Sequence, residues 1–90
     1  MLLISYTGKF KKDVKRCKKR NWDMDKLKTI IADLAVPRPL PKENYDHDLK
    51  GNFNGRRECH IEPDWLLMYV QTETELILER TGSHADLFKN

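Results

Sequence analysis

The residues best equipped for chemistry lie in three separate segments of the chain. His60-Ile61-Glu62-Pro63-Asp64-Trp65 places an imidazole, a carboxylate and a flat indole within one short stretch. Pro63 cannot donate to a sheet ladder, so the chain turns there or begins a strand. A turn between two strands presents His60 and Asp64 side by side at one end of a sheet. His47 lies upstream, within Tyr45-Asp46-His47-Asp48-Leu49-Lys50-Gly51, and Arg80 and His84 lie downstream around Thr81-Gly82-Ser83. Imidazole exchanges a proton near neutral pH. Such a set suits cleavage of an RNA phosphodiester through its own 2′-hydroxyl. That reaction needs a base for the hydroxyl, an acid for the departing 5′-oxygen and positive charge on the phosphorane. Imidazoles serve as acid and base, and a guanidinium donates in a planar fork to phosphate oxygens. Trp65 or Phe88 offers a surface on which a splayed base stacks. No metal or other cofactor is required.

Plainer readings compete at each position. Three histidines are ordinary for a chain of 90 residues. They lack short metal-ligand spacing, and neither Cys17 nor Cys59 sits in a ligand pair, which argues against zinc. Both cysteines read as small apolar fillers. Trp65 precedes an apolar run and suits a core position as well as a stacking platform.

The totals favour one modest domain spanning residues 1–90. The apolar share is 39% and the charged share 34%, with net charge +3, as in a small soluble protein. Membrane-length apolar runs and a cationic leader are both missing from the sequence, so a cytoplasmic location is expected.

Several elements must position the three segments. Leu2 to Tyr6 reads as a strand. Thr7 is a plausible N-cap for a helix from about Gly8 to Arg20, with Phe10, Val14 and Cys17 as its apolar stripe. The rest of that helix is cationic, including Lys11, Lys12, Lys15, Arg16, Lys18 and Lys19, relieved only by Asp13. This one-sided charge fits a solvated face and a polyanionic partner about equally. Asp23 caps a second helix to about Ala35, striped by Met24, Leu27, Ile30, Ile31 and Leu34. The two helices should form an antiparallel hairpin. Val36 to Gly55 is irregular, broken by Pro37, Pro39 and Pro41 and turning near Gly51, Asn52, Asn54 and Gly55.

From Arg56 the pattern has period two, with Arg57, Cys59 and Ile61 on one side and Glu58, His60 and Glu62 on the other. Trp65 to Gln71 reads as a buried central strand. Glu75 to Thr81 is the next strand, Gly82 ends it, and Ser83 caps a last helical turn. Strict alternation places Arg80 on the face of Leu76 and Leu78; a bulge or strong twist would re-aim it. The expected class is α+β, in the order β-α-α-β-β-β with a short C-terminal helix. An antiparallel three-strand meander plus the N-terminal strand packs on the helical hairpin, leaving the other sheet face for a site.

Arg57-Glu58-Cys59-His60-Ile61-Glu62-Pro63-Asp64-Trp65-Leu66-Leu67-Met68-Tyr69 and Glu79-Arg80-Thr81-Gly82-Ser83-His84-Ala85-Asp86-Leu87-Phe88 closely resemble the YafQ toxins of the RelE/ParE superfamily. Asp46-His47-Asp48-Leu49-Lys50-Gly51 and Asp23 to Lys28 extend the resemblance over nearly the whole chain. It implies a RelE/ParE-like fold and a ribosome-dependent endoribonuclease that cuts mRNA in the decoding site and needs no metal. Implied partners are the 70S ribosome with its mRNA and a cognate antitoxin of ribbon-helix-helix type; a membrane is not among them. By resemblance His47, His60, Asp64 and His84 share acid–base work, with His84 as the acid and the base open between His60 and Asp64. Arg80 stabilises the phosphate, while Trp65, Phe88 and Lys50 shape the site or hold RNA. Lys89-Asn90 runs past the usual Phe ending, and Glu58 and Cys59 stand where some relatives have Asp and Ala. The alternatives are an inactive nucleic-acid- or ribosome-binding module of the same fold, or a two-helix DNA-binding regulator. The regulator leaves the strand motifs idle.

Overall fold

A computed structural model describes residues 1–36, 38–51 and 55–88. Strand β1 (Leu3–Tyr6) leads into helix α1 (Gly8–Lys19), whose N-cap Thr7 accepts from the Phe10 N–H through its side chain. Helix α2 (Met24–Ala35) starts where the Asp23 carboxylate accepts from the Asp25 N–H. These side chains satisfy donors that a helix start leaves orphaned. Both helix starts agree with the sequence. The irregular segment does not stay wholly irregular: it contains a 3-10 turn, Lys42–Asn44, and a short strand β2, His47–Asp48. Strands β3 (Arg57–Glu62), β4 (Trp65–Gln71) and β5 (Glu75–Gly82) follow, then helix α3 (His84–Leu87). The turn residues Asn52 and Asn54, with Pro37 and the Lys89-Asn90 extension, lie outside the described residues.

The sheet has five strands in the order β1-β5-β4-β3-β2. β4 is therefore central, as its continuous apolar run suggests. β1 runs parallel to β5, and the other pairs are antiparallel. On one face Cys59, Trp65, Leu67, Tyr69, Leu76 and Leu78 join Phe10, Cys17, Leu27, Ile30 and Leu34 of the helices in one core. Each large apolar side chain buried there contributes roughly 1.5–3 kcal/mol before conformational entropy is subtracted. Two hydrogen bonds tie α2's end to the sheet: Leu2 N–H donates to the Ala35 carbonyl and the Gln71 amide to that of Leu34, both at 2.8 Å.

Candidate active site

Residues directly opposed across an antiparallel ladder share a face. His47 opposes Glu58, Glu58 opposes Met68, and Met68 opposes Arg80. One row across four strands thus carries His47, Glu58 and Arg80 on the face away from the helices. The next row holds His60 opposite Leu66. Arg80 reaches the row of His47 and Glu58 through a bulge: Tyr69 pairs with Leu78 but Met68 pairs with Arg80, leaving Glu79 as an extra residue. Strict alternation, which puts Arg80 with Leu76 and Leu78, is broken by that insertion.

Three imidazoles line up along this face. The ring centroids of His60 and His84 are 5.6 Å apart, and those of His47 and His60 are 6.5 Å apart. Each ring is pinned through Nδ1. His47 Nδ1 lies 2.6 Å from the Tyr45 carbonyl, His60 Nδ1 lies 3.3 Å from the Pro63 carbonyl, and His84 Nδ1 lies 2.6 Å from Asp64 Oδ1. A carbonyl or carboxylate oxygen only accepts, so Nδ1 carries the proton in each ring. Nε2 is then the atom left for exchange. The Asp64 carboxylate also accepts from the His84 backbone N–H at 2.9 Å. Together the backbone and side-chain bonds from His84 hold the Asp64 carboxyl below its ordinary value. Asp64 is thereby a weak proton acceptor and a strong orienter of His84.

His84 opens α3 directly after the cap residue Ser83. Asp86 closes a capping box, its carboxylate accepting from the Ser83 N–H at 2.9 Å while the Ser83 hydroxyl accepts from the Asp86 N–H. Arg20 grips the same carboxylate with both Nη atoms, at 2.7 and 3.1 Å. Gly82 permits the close approach: its φ is +153°, and an added Cβ would meet Asp86 Oδ2 at 2.8 Å. His47 is fixed from either side. The Arg57 guanidinium pairs with Asp46 at 3.2 Å and Asp48 at 2.7 Å, and the Tyr69 hydroxyl donates a short bond to Asp46.

The family model of the bacterial YafQ toxin of type II toxin–antitoxin systems matches residues 2–89. The chain belongs to the YafQ family. An Escherichia coli relative named mRNA interferase toxin YafQ is 48% identical over 86 residues, 94% of each chain. The crystal structure of an E. coli YafQ superposes with a TM-score of 0.93 at 45% identity, covering 98% of this chain and 99% of that one. YafQ in the E. coli DinJ–YafQ toxin–antitoxin complex superposes at 0.90 with 46% identity over 97% of both. The α+β, RelE-like architecture of the family is the architecture seen here.

The YafQ-type motif residues divide into those the fold gathers and those it does not. His47, His60, Asp64 and His84 share the open end of the sheet, with Arg80 in the same row as His47. Phe88 caps α3, one turn from His84, and is 36% exposed. Trp65 takes the core position and not the stacking platform that its residue type also allows. Its indole is 1% exposed, packs on Trp22 at 5.1 Å and donates to the Thr81 hydroxyl at 2.9 Å. No face of that ring reaches a nucleotide, so it supports the site from beneath. Lys50 lies past Asp48 in a cleft of about 450 Å³ shared with Arg57 and Gln71, away from the His60–His84 pair. On α1, Lys11, Lys12, Lys15, Lys18 and Lys19 are exposed. Arg16 departs from that set, because it is half-buried and pairs with Asp13 and Asp86, each at 3.3 Å.

Two members of the site carry no mark in the sequence. Glu58 is 5% exposed, with Oε1 at 3.6 Å from His47 Nε2 and 3.9 Å from His60 Nε2. Its other oxygen, Oε2, has no hydrogen-bond partner among the described residues. The alternating pattern of β3 places Glu58 on the His60 side; nothing in it signals burial. Tyr45 is the second. It takes a positive φ of 46°, is 67% exposed and sets its ring at 5.5 Å from that of His60. Tyr45 and His60 line a cleft of about 600 Å³ with Asn44, Ile61, Glu62 and Pro63. Among the described residues no group of three or more His, Cys, Asp or Glu side chains could hold a metal ion.

Proposed function

We propose that the protein is a toxin that cleaves mRNA on the ribosome by acid–base catalysis. The single observation that carries this reading is the Asp64–His84 pair, 2.6 Å between Oδ1 and Nδ1, standing beside the His60 ring. His60 Nε2 takes the proton from the 2′-hydroxyl, which attacks the adjacent phosphorus. His84 Nε2, oriented by Asp64, protonates the departing 5′-oxygen. The products are a 2′,3′-cyclic phosphate and a free 5′-hydroxyl. Asp64 is the weaker of the two base candidates because two hydrogen bonds from His84 to its Oδ1 favour the ionised carboxylate. Its part resembles that of a carboxylate orienting a catalytic imidazole. Arg80 supplies positive charge for the phosphorane, and Tyr45 offers an exposed ring beside the cleft for a splayed base.

The open cleft beside His60 suits a single strand held extended, as a ribosome holds message. The DinJ–YafQ complex supports a cognate antitoxin for this chain as well; the type proposed for it is ribbon-helix-helix. The second proposed partner is the 70S ribosome carrying its mRNA, the substrate class that the relative's name gives. No helix among the described residues is long and apolar enough to cross a membrane, and the proposed site of action is the cytoplasm. A purely binding module would have no use for a buried carboxylate facing two imidazoles. The test is cleavage of ribosome-programmed mRNA by wild type and His84→Ala. Loss of the acid lowers the rate by about 10²- to 10⁴-fold. Equal cleavage by folded His84→Ala overturns the reading.

A further inference from the structure

Asp13 is the only acidic residue of α1, and it is 1% exposed while the lysines around it stand in solvent. A carboxylate buried on a cationic surface helix is costly unless its oxygens are fully engaged. They are. Oδ2 accepts from Arg80 Nε at 2.7 Å and from the Thr81 backbone N–H at 3.1 Å, while Oδ1 accepts from Arg80 Nη2 at 3.1 Å. Arg16 adds a contact at 3.3 Å. β1 ends opposite Leu78, so the Thr81 N–H has no β1 residue opposite it, and Asp13 supplies the acceptor.

The consequence for Arg80 is directional. A guanidinium has five N–H donors in one plane, and the fork to Asp13 uses two of them along the Nε–Nη2 edge. Three donors remain, their plane and direction set by a carboxylate that is itself locked to the β5 backbone just past the bulge. We propose that Asp13 is a positioning residue of the catalytic site: its carboxylate grips Arg80 and the Thr81 N–H together, so that the guanidinium's remaining donors meet the phosphate on the histidine face. This rests on the reading in which Arg80 serves the phosphorane. The bulge brings Arg80 to the correct face, and Asp13 fixes its aim. Asp13 thus works from the opposite side of the sheet edge, on an element that carries no residue of the acid–base set.

The test compares wild type, Asp13→Asn, Arg80→Ala and the double variant in single-turnover cleavage of ribosome-programmed mRNA, with folding checked by circular dichroism. Asp13→Asn keeps the side chain's size but not its charge. It should lower the maximal rate by about 10- to 100-fold, while the concentration dependence moves by no more than about twofold. The double variant should be no slower than Arg80→Ala alone, because the two act as one unit. Free guanidinium ion at millimolar concentration should raise the rate of Arg80→Ala by about tenfold, since Asp13 still offers its acceptor edge. Arg80→Ala/Asp13→Ala, which leaves neither half of the pair buried alone, should show no such rescue. That comparison decides the matter even where Asp13→Asn fails to fold. Wild-type rates for Asp13→Asn beside an impaired Arg80→Ala overturn the proposal alone, as do losses that multiply or equal rescue in both backgrounds. A wild-type rate for Arg80→Ala removes Arg80 from the chemistry and overturns both the proposal and that part of the mechanism.

Discussion

Glu58 is a buried carboxylate set between two of the site's imidazoles. A carboxylate with one oxygen facing two imidazole nitrogens and the other unpartnered among the described residues is expensive to bury. Folding alone gives no reason to keep it; a place for a negative charge beside two imidazoles of the site does. Glu58→Gln should therefore trade function for stability. Cleavage on ribosomes should fall by about tenfold or more, while the melting temperature stays level or rises. A variant with full activity and a lowered melting temperature would make Glu58 a structural residue. The period of β3 puts Glu58 on the side of His60, but alternation reports a face and not a depth. Trp65 shows the same limit in reverse. Its type allows a stacking platform, and its position at the start of β4, packed on Trp22 and bonded to Thr81, makes it core.

Among the elements, those with local signals are legible in the sequence. Thr7, Asp23 and Ser83 cap their helices as their types and positions suggest, and the ends of α2 and β4 fall where the apolar stripe and run stop. Strand β2 is not legible. It is two residues long, follows a proline-rich segment, and is held by Arg57 and Tyr69 across the sheet rather than by its own propensity. The bulge at Glu79 answers a need of Arg80 but has no sequence mark. Helix α3 is too short to persist alone, and its position depends on Asp86. The Arg20 hydrogen bonds, then the Ser83 bonds, hold the Asp86 carboxyl well below its ordinary 3.8. A group depressed in the folded state stabilises above its unfolded value and loses that contribution as pH falls through the folded one. Asp86→Asn should thus cost about 1 kcal/mol at pH 7, the scale of a lost cap. In thermal melts across pH, the gap to wild type should close below about pH 4. A gap that persists unchanged into strong acid would show that the charge on Asp86 is irrelevant.

At the scale of the whole molecule, the sheet is a sorting device. One face takes every apolar stripe of α1 and α2, and the other gathers side chains from segments far apart in sequence: His47, then Glu58, His60 and Asp64, then Arg80 and His84. That division is readable from periodicity and element order, as is the α+β class. The convergence at one end is suggested by the spacing of motifs and becomes definite only when the strand register is known. The lysines of α1 form a separate surface. Lys11, Lys15 and Lys18 line one shallow groove with Tyr6, Phe10 and Val14. If they meet ribosomal RNA, Lys11→Gln, Lys15→Gln and Lys18→Gln together should weaken ribosome binding and flatten its log–log salt dependence by about two to three units. An unchanged slope would leave them a solvated face.

The central claim is that His84, held by Asp64, protonates the 5′-oxygen as it leaves. It is tested most directly with an mRNA carrying a 5′-bridging sulfur at the cleavage position, since a thiolate departs without a proton. On the ordinary message, His84→Ala should be slower than wild type by about 10²-fold or more, and on the sulfur-substituted message the two should cleave at nearly the same rate. An equal deficit on both substrates would contradict the assignment.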